Sequence, residues 1–477
     1  MKLPFAMDTW YSVVRKRELP ARSVEFDGAF DRELAVSEWR NTKAGEGLVL
    51  TRRSKLGLLK SVLANGGRAS ALATWARGLT DAADCDVSLA FPSTGGGFVL
   101  IDSNSRKAFA AGTRMLPAGR RRWKILRRAL ARLARFGLHE RLGLNEVCVL
   151  TKCSNDESIA SHSKPLYMAL SSGVPGLFQT AVAQLADASG RIDSYVKLGA
   201  GADAAEKIRW EGEVLERLPD LALNRADTPA LLAQGEAPGG SYIVQEALTG
   251  PRSPDELRRA HLEFLIELQQ RTRSSTSLEQ CEDFTVSVSR LSLLQAHADK
   301  EWLDLAHSAR DVLSERLVDG LIPCCLVHGD FTPWNTILDE ERLRVFDWEY
   351  ARFEAPALGD LFHFIIQTEV LVIHATDVLH NGQAVRLILA RIREVMEEQV
   401  NELLAPVTKN GCEWLELLLL YLFNITVRDE WLHSKERPLF EQVSWLREAR
   451  MELMRVVISK LASAPRTSSL ATRTLAA

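Results

Sequence analysis

Between Leu326 and Ala351 the chain reads LVHGDFTPWNTILDEERLRVFDWEYA. Asp330 and Asp347 each follow a short apolar run, and Asn335 stands five residues after the first of them. A carboxylate placed where a buried strand ends in a turn is held rigidly at the edge of a cleft. Phosphoryl transfer needs a base near the acceptor hydroxyl, oxygen ligands for Mg²⁺ and cationic clamps on the phosphates. Mg²⁺ prefers hard oxygen ligands and takes few of them from a protein. Asn335 and Asp347 can supply those oxygens. Asp330 can then stay free of metal and accept a proton.

The spacing of Asp330 and Asn335 is the D-x-x-x-x-N of the protein-kinase catalytic loop. Gly329 replaces the arginine of that loop, and the second aspartate opens Asp-Trp-Glu rather than Asp-Phe-Gly. A protein kinase therefore ranks below a small-molecule kinase. HGDFTPWN followed by VFDWEYARFEAPALGD resembles the aminoglycoside phosphotransferase and choline kinase superfamily, over roughly residues 161–460. The resemblance implies an α+β, bilobal protein-kinase-like fold, with a small antiparallel-sheet N-lobe and a mainly helical C-lobe. The first 160 residues stand outside it as an extra N-terminal α/β region. The cofactors it implies are ATP and Mg²⁺, and the partner is a small-molecule hydroxyl: an amino alcohol, a sugar or an aminoglycoside-like compound.

Residue by residue, the resemblance makes Asp330 the general base and Asn335 and Asp347 the metal ligands. His328 becomes a structural hydrogen-bonder of the catalytic loop. Asp360, in LGDLFHF, matches the later aspartate that braces that loop. A lysine on the third strand of the small sheet should pair with a helix glutamate, and SYVKLG offers Lys197. Its partner is Glu211 or Glu213; Glu211 is preferred because it stands four residues before Leu215, as in the family's E-x-x-x-L. Gly173 and Gly176, in SSGVPGLFQ, can bring backbone N–H groups to phosphate oxygens, or simply make a turn. YIVQEALTG matches the hinge, where Glu246 and Leu248 would read the adenine edge through backbone groups. The acceptor pocket should come from the helices after Asp347. Glu349, Trp414, Tyr421, Asp429, Glu430 and Trp431 occur there, with Glu349 and Trp431 as the chosen candidates. Such groups suit a cationic acceptor through charge and ring-face contacts; core aromatics and solvated acids are the alternative.

These residues need elements to hold them. In 161–249, LYMAL, FQTAVAQLAD and RIDSYVKLG read as three strands, AAEKIRWEGEVLERL as a helix and SYIVQEAL as a further strand. In 250–462 the chain is mainly helical, with SPDELRRAHLEFLIELQQ opened by a capping signal at Ser253-Pro254. LELLLLYLF reads as a buried helix. In 1–160, VSLAFPSTGGGFVLID reads as two strands joined by a Gly-rich turn. It is followed by a basic helix with an apolar stripe of Trp123, Leu126, Leu130 and Leu133. The stretch 114–141 can contact an anionic membrane or present a solvated face. A short small lobe also leaves a sheet face that something must cover, and residues 1–160 are the candidate. Residues 463–477, rich in Ser, Thr and Ala, are expected to be disordered.

With 477 residues, 46% hydrophobic content and a net charge of -3, the composition is that of a globular protein of two or three domains. That charge offers no pull toward nucleic acid, and no run of eighteen apolar residues marks a membrane span. The N-terminus lacks the apolar core and cleavage site of a signal peptide. Seven cysteines without a C-x-x-C pair read as reduced thiols in a cytoplasmic protein. The alternative from another functional class is a nucleotide-binding pseudokinase serving as a regulatory or scaffold subunit, against which the complete catalytic set speaks.

Overall fold

The computed structural model describes residues 47–49, 84–92, 98–102, 105–116, 121–137, 145–151, 167–171, 180–237, 240–296, 298–318, 320–376, 381–397, 413–435 and 444–464. The strands are β1 (Gly47–Val49), β2 (Asp84–Pro92), β3 (Phe98–Asp102), β4 (Asn145–Thr151), β5 (Tyr167–Ser171), β6 (Thr180–Ala186), β7 (Ile192–Ala200), β8 (Ala226–Asp227), β9 (Leu231–Ala237), β10 (Gly240–Glu246), β11 (Ser274–Thr276), β12 (Ile322–Val327), β13 (Thr336–Asp339), β14 (Arg342–Val345) and β15 (Arg352–Pro356). The helices are α1 (Arg106–Gly112), α2 (Arg121–Arg135), α3 (Ala202–Arg217), α4 (Arg259–Thr272), α5 (Glu282–Leu294), α6 (Lys300–Arg316), α7 (Gly359–Thr376), α8 (Asn381–Val395), α9 (Trp414–Lys435) and α10 (Ser444–Ser463). Two compact units result, one of Met1–Glu213 with Pro229–Ala247, the other of Val214–Thr228 with Leu248–Ala477.

The first unit is built on one antiparallel sheet, in the order β1-β4-β2-β3-β5-β6-β7-β10-β9. Alternation of side chains across the pleat shapes it: Ser241, Ile243 and Gln245 of β10 are buried and the residues between them half-buried. The expected strands of 161–249 are present, joined by β9, which the sequence reading missed. The sheet does not stop near residue 160. β3 pairs with β5, setting Val99 opposite Ser171 and Ile101 opposite Ala169. Without β3, the β5 edge would offer a row of unpaired backbone groups.

Helices from the first 160 residues cover part of this sheet. Ser105 caps α1 by accepting the N–H of Ala108 at 3.3 Å. Phe109, Leu116, Leu130 and Ala134 then pack with Val99, Ile101 and Ala169 into one apolar core. The stripe expected on the basic helix is corrected here. Leu130 and Ala134, one helical turn apart, face the core, while Leu126 is 38% exposed. Arg120 and Arg141 of the basic stretch, and the tail from 465, lie outside the described residues.

The second unit is mainly helical and packs α4 to α10 around one large core. α9 buries Leu417 to Leu420, Leu422 and Phe423, as its apolar run implies. A buried ion pair, Arg316 Nε to Glu416 Oε1 at 3.0 Å, joins α6 to the start of α9. Removing either partner would strand a buried charge. The start of α4 differs from the sequence signal: it begins at Arg259, not just after Ser253. Ser253 N–H donates to the Thr336 carbonyl at 3.3 Å and Arg252 bridges to Ile337, so this segment is held extended beside β13. His261 makes the cap instead, its Nδ1 accepting the N–H of Arg258 at 3.0 Å.

Two small sheets, β11-β12-β15 and β13-β14-β8, complete this unit. β12, IPCCLV, is buried at all six positions. Burial pushes the Cys281 and Cys324 thiols up to about 11 and about 12, so both stay protonated near neutral pH. Among the described residues, no helix is long and apolar enough to cross a membrane.

Candidate active site

The loop between β12 and β13 carries Asp330. β12 ends at Val327, and Gly329 then takes φ +80°, a conformation open to glycine. A Cβ at Gly329 would also lie 2.1 Å from the carbonyl oxygen of Tyr350, so only glycine lets the two backbones approach. Asp360, on the first turn of α7, accepts the His328 N–H at 2.6 Å and the Gly329 N–H at 2.9 Å. These charge-assisted bonds hold the loop at its base. His328 Nε2 donates to the Phe346 carbonyl at 2.9 Å while Nδ1 accepts the Asp330 N–H at 3.3 Å. Both ring nitrogens are thereby engaged in loop structure.

The Asp330 side chain is 28% exposed. Its Oδ2 accepts from Asn335 Nδ2 at 2.8 Å and its Oδ1 from His363 Nε2 at 2.9 Å. Asn335 Nδ2 also donates to the Asp330 carbonyl at 3.0 Å. Both bonds use the amide nitrogen, so neither engages Oδ1 of Asn335. His363 Nδ1 accepts from the Tyr421 hydroxyl at 2.9 Å. Burial pushes the Tyr421 phenol up to about 12, so it remains a donor.

Asp347 follows β14 by two residues and takes φ +73°. Left-handed backbone at a non-glycine residue is uncommon, and such strain collects at functional sites. A carboxylate oxygen of Asp347 and one of Glu349 lie within 4.8 Å of each other. Glu349, expected in the acceptor pocket, thus stands beside the metal-ligand candidate. Trp431 packs against the helical core, and so does Trp414. Glu430 pairs with Arg447 at 3.0 Å, and Asp429 pairs with Arg450.

In the other unit, Lys197 lies on β7 between Val182 of β6 and Ile243 of β10. Its Nζ reaches both oxygens of Glu211, at 2.6 and 2.8 Å, and both residues are buried. Glu213 is exposed, which decides between the two glutamates. α3 can run this close to the sheet because position 199 is glycine: a Cβ there would be 2.1 Å from the Ala204 carbonyl oxygen. The Glu246 N–H is engaged by the Ala230 carbonyl at 2.9 Å, and Leu248 is half-buried just beyond β10. Gly173 and Gly176 lie outside the described residues.

Sequence reasoning missed His363. Its signal was present in LGDLFHF, where it follows Asp360 by one helical turn on α7. Tyr421 was noted only as an acceptor-pocket aromatic, and its bond to His363 needs the packed fold to be seen.

Residues 179–365 match the family described as the phosphotransferase enzyme family. No curated protein matches the chain. Among solved structures, a thermostable mutant of aminoglycoside phosphotransferase APH(4)-Ia, in ternary complex with ADP and hygromycin B, aligns with 17% identity and a TM-score of 0.38, covering 60% of this chain and 92% of that one. A choline/ethanolamine kinase family protein from Mesorhizobium loti aligns with 14% identity and a TM-score of 0.38, covering 64% and 95%. ADP-bound aminoglycoside phosphotransferase APH(2'')-Ib aligns with 14% identity and a TM-score of 0.36, covering 58% and 90%. The matched stretch, residues 179–365, holds Lys197, Glu211, Asp330, Asn335, Asp347 and Asp360, and it is this part of the chain that is similar to the phosphotransferase enzyme family.

Proposed function

We propose that the protein is an ATP- and Mg²⁺-dependent phosphotransferase that moves the γ-phosphoryl group to a hydroxyl of a small molecule. The observation that carries this reading is the Asp330 carboxylate, held by His363 and Asn335 on a loop braced by Asp360. A base so fixed has one direction in which to meet an acceptor hydroxyl. The acceptor oxygen bonds to the γ-phosphorus, the bond from that phosphorus to the bridging oxygen breaks, and ADP leaves. The hydroxyl proton passes to Asp330.

Lys197 would hold the α- and β-phosphates, with Glu211 fixing its ammonium. Asn335 and Asp347 fit a hard cation: one offers an amide oxygen, the other a carboxylate with Glu349 beside it. Mg²⁺ bound there neutralises phosphate charge. In this reading Glu349 is a further oxygen donor near the metal rather than a wall of the acceptor pocket. Within the first 160 residues, β1 to β4 extend the sheet that carries Lys197, and α1 and α2 cover part of it.

The test is ADP release from Mg·ATP by the full chain against amino alcohols, sugars, hydroxy acids and aminoglycosides. Acceptor-dependent ADP release with a phosphorylated product supports the reading. Failure to bind Mg·ATP at all would overturn it.

A further inference from the structure

The charge around Asp330 points to the kind of acceptor. Tyr421 and Arg428 are seven residues apart on α9, hence on one face and roughly 10 Å apart along the axis. Tyr421 reaches Asp330 through His363. Arg428 is tied to the same loop from another side. Its guanidinium lies over the ring of Tyr350, 5.1 Å from the centroid, and the Tyr350 backbone abuts Gly329. Arg428 is 28% exposed, so it is anchored yet open to a ligand.

The acids of this helix are already committed. Asp429 is shared between Arg450 and Arg428, and Glu430 pairs with Arg447. They do not form a cation site. Positive charge, by contrast, is in excess. Arg352 is paired with Asp283. Arg290, half-buried on α5, makes no ion pair among the described residues. Burial first, then Arg428 and Arg352, hold Arg290 below its ordinary value, against Asp283. Three carboxylates, of Asp283, Asp330 and Asp429, are thus set against the four guanidiniums of Arg290, Arg352, Arg428 and Arg450, and Arg290 is the one left over.

We infer that the acceptor carries an oxyanion, a carboxylate or a phosphate ester, which Arg428 and Arg290 bind while its hydroxyl meets Asp330. Guanidinium is the natural partner of such groups, since its planar fork matches their oxygens. The inference rests on the phosphotransferase reading and narrows its substrate class away from choline-like and aminoglycoside-like cations.

The experiment uses the full chain and matched acceptors: glycerate and glycerol 3-phosphate against glycerol, gluconate against glucose, with choline and kanamycin as cations. Mg·AMP-PNP binding is measured alongside, and ADP release is read with Mg·ATP. The oxyanion members should exceed their neutral counterparts in kcat/KM by at least about tenfold, and glycerate against glycerol 3-phosphate tells which oxyanion is preferred. Arg428→Met and Arg290→Met should each raise KM for the oxyanion acceptor by about tenfold or more, with Arg428→Lys recovering part of the loss. If Arg428→Met lowers the melting temperature strongly, Arg290→Met alone carries the test. Preference for a neutral or cationic acceptor overturns the inference. So does Mg·AMP-PNP binding without ADP release on any oxyanion member, or oxyanion turnover indifferent to both arginines. Absence of Mg·AMP-PNP binding instead overturns the phosphotransferase reading beneath it.

Discussion

His363 Nε2 lies 2.9 Å from Asp330 Oδ1, while His363 Nδ1 accepts the Tyr421 hydroxyl at 2.9 Å. The chain Tyr421–His363–Asp330 therefore runs in one direction, each member donating to the next. It fixes the imidazole with its hydrogen on Nε2 and aims the carboxylate. His363 is buried and Tyr421 half-buried. A carboxylate positioned by a buried donor loses little freedom when an acceptor arrives.

His363→Phe removes that donor and keeps a ring in its place. We expect kcat to fall by about 10- to 100-fold with KM for ATP changed by less than about twofold. The Tyr421 hydroxyl loses its partner, at a stability cost of about 1–3 kcal/mol. Steady-state kinetics with denaturant melts checks both. An unchanged kcat would show that His363 only fills space.

Lys197 and Glu211 should act as one device. Alanine at either position is expected to lower kcat/KM by on the order of 100-fold, and the double variant by little more. Additive losses in a double-mutant cycle would separate the two residues. Glu213→Ala, at an exposed position, should stay near wild type.

Asp360 accepts two backbone N–H groups, of His328 and Gly329. Asp360→Ala leaves both without a partner, and a loss of about 3 kcal/mol or more follows, with activity falling as the loop loosens. Asp360→Asn retains one acceptor and should fall between. Urea melts that superimpose on wild type for Asp360→Ala would refute the bracing role.

His261 supplies a pH signature of stability. It is fully buried, and burial first, then Arg258, lowers it from 6.5 to about 4. Its neutral form is held by the N–H of Arg258 on Nδ1. A folded value below the unfolded one means that the unfolded chain binds the extra proton. The contribution is therefore whole above pH 6.5 and is lost as pH falls toward 4, by up to about 3 kcal/mol. Urea melts between those limits should show a slope that His261→Gln flattens. Equal slopes in both proteins would remove His261 as its source.

The loop of Asp330 and Asn335 was legible because its residues are close in sequence. Two apolar runs, each ending in an aspartate, became β12 and β14, and the five-residue step to Asn335 became a hydrogen bond between the two side chains. Lys197 and Glu211 were legible for the same reason: a strand and the next helix must pass each other. What escaped was set by long-range packing. The bond of His363 to Tyr421 joins helices 58 residues apart. β3 beside β5 depends on pairing across the intervening α1, α2 and β4. The start of α4 went to a backbone partner on β13 that no local signal announces. The acids of α9 were open in sequence to a cationic ligand or to solvent, and their ion pairs with Arg447 and Arg450 are visible only in the packed fold.

The most direct test of the base assignment is Asp330→Asn in the full chain, with turnover and nucleotide binding measured on the same preparation. The amide keeps the shape and removes the proton acceptor, while Asn335 and Asp347 remain. Turnover should fall by at least about 100-fold, with Mg·AMP-PNP affinity within about threefold of wild type. Turnover within about tenfold of wild type would contradict the assignment of Asp330 as the base.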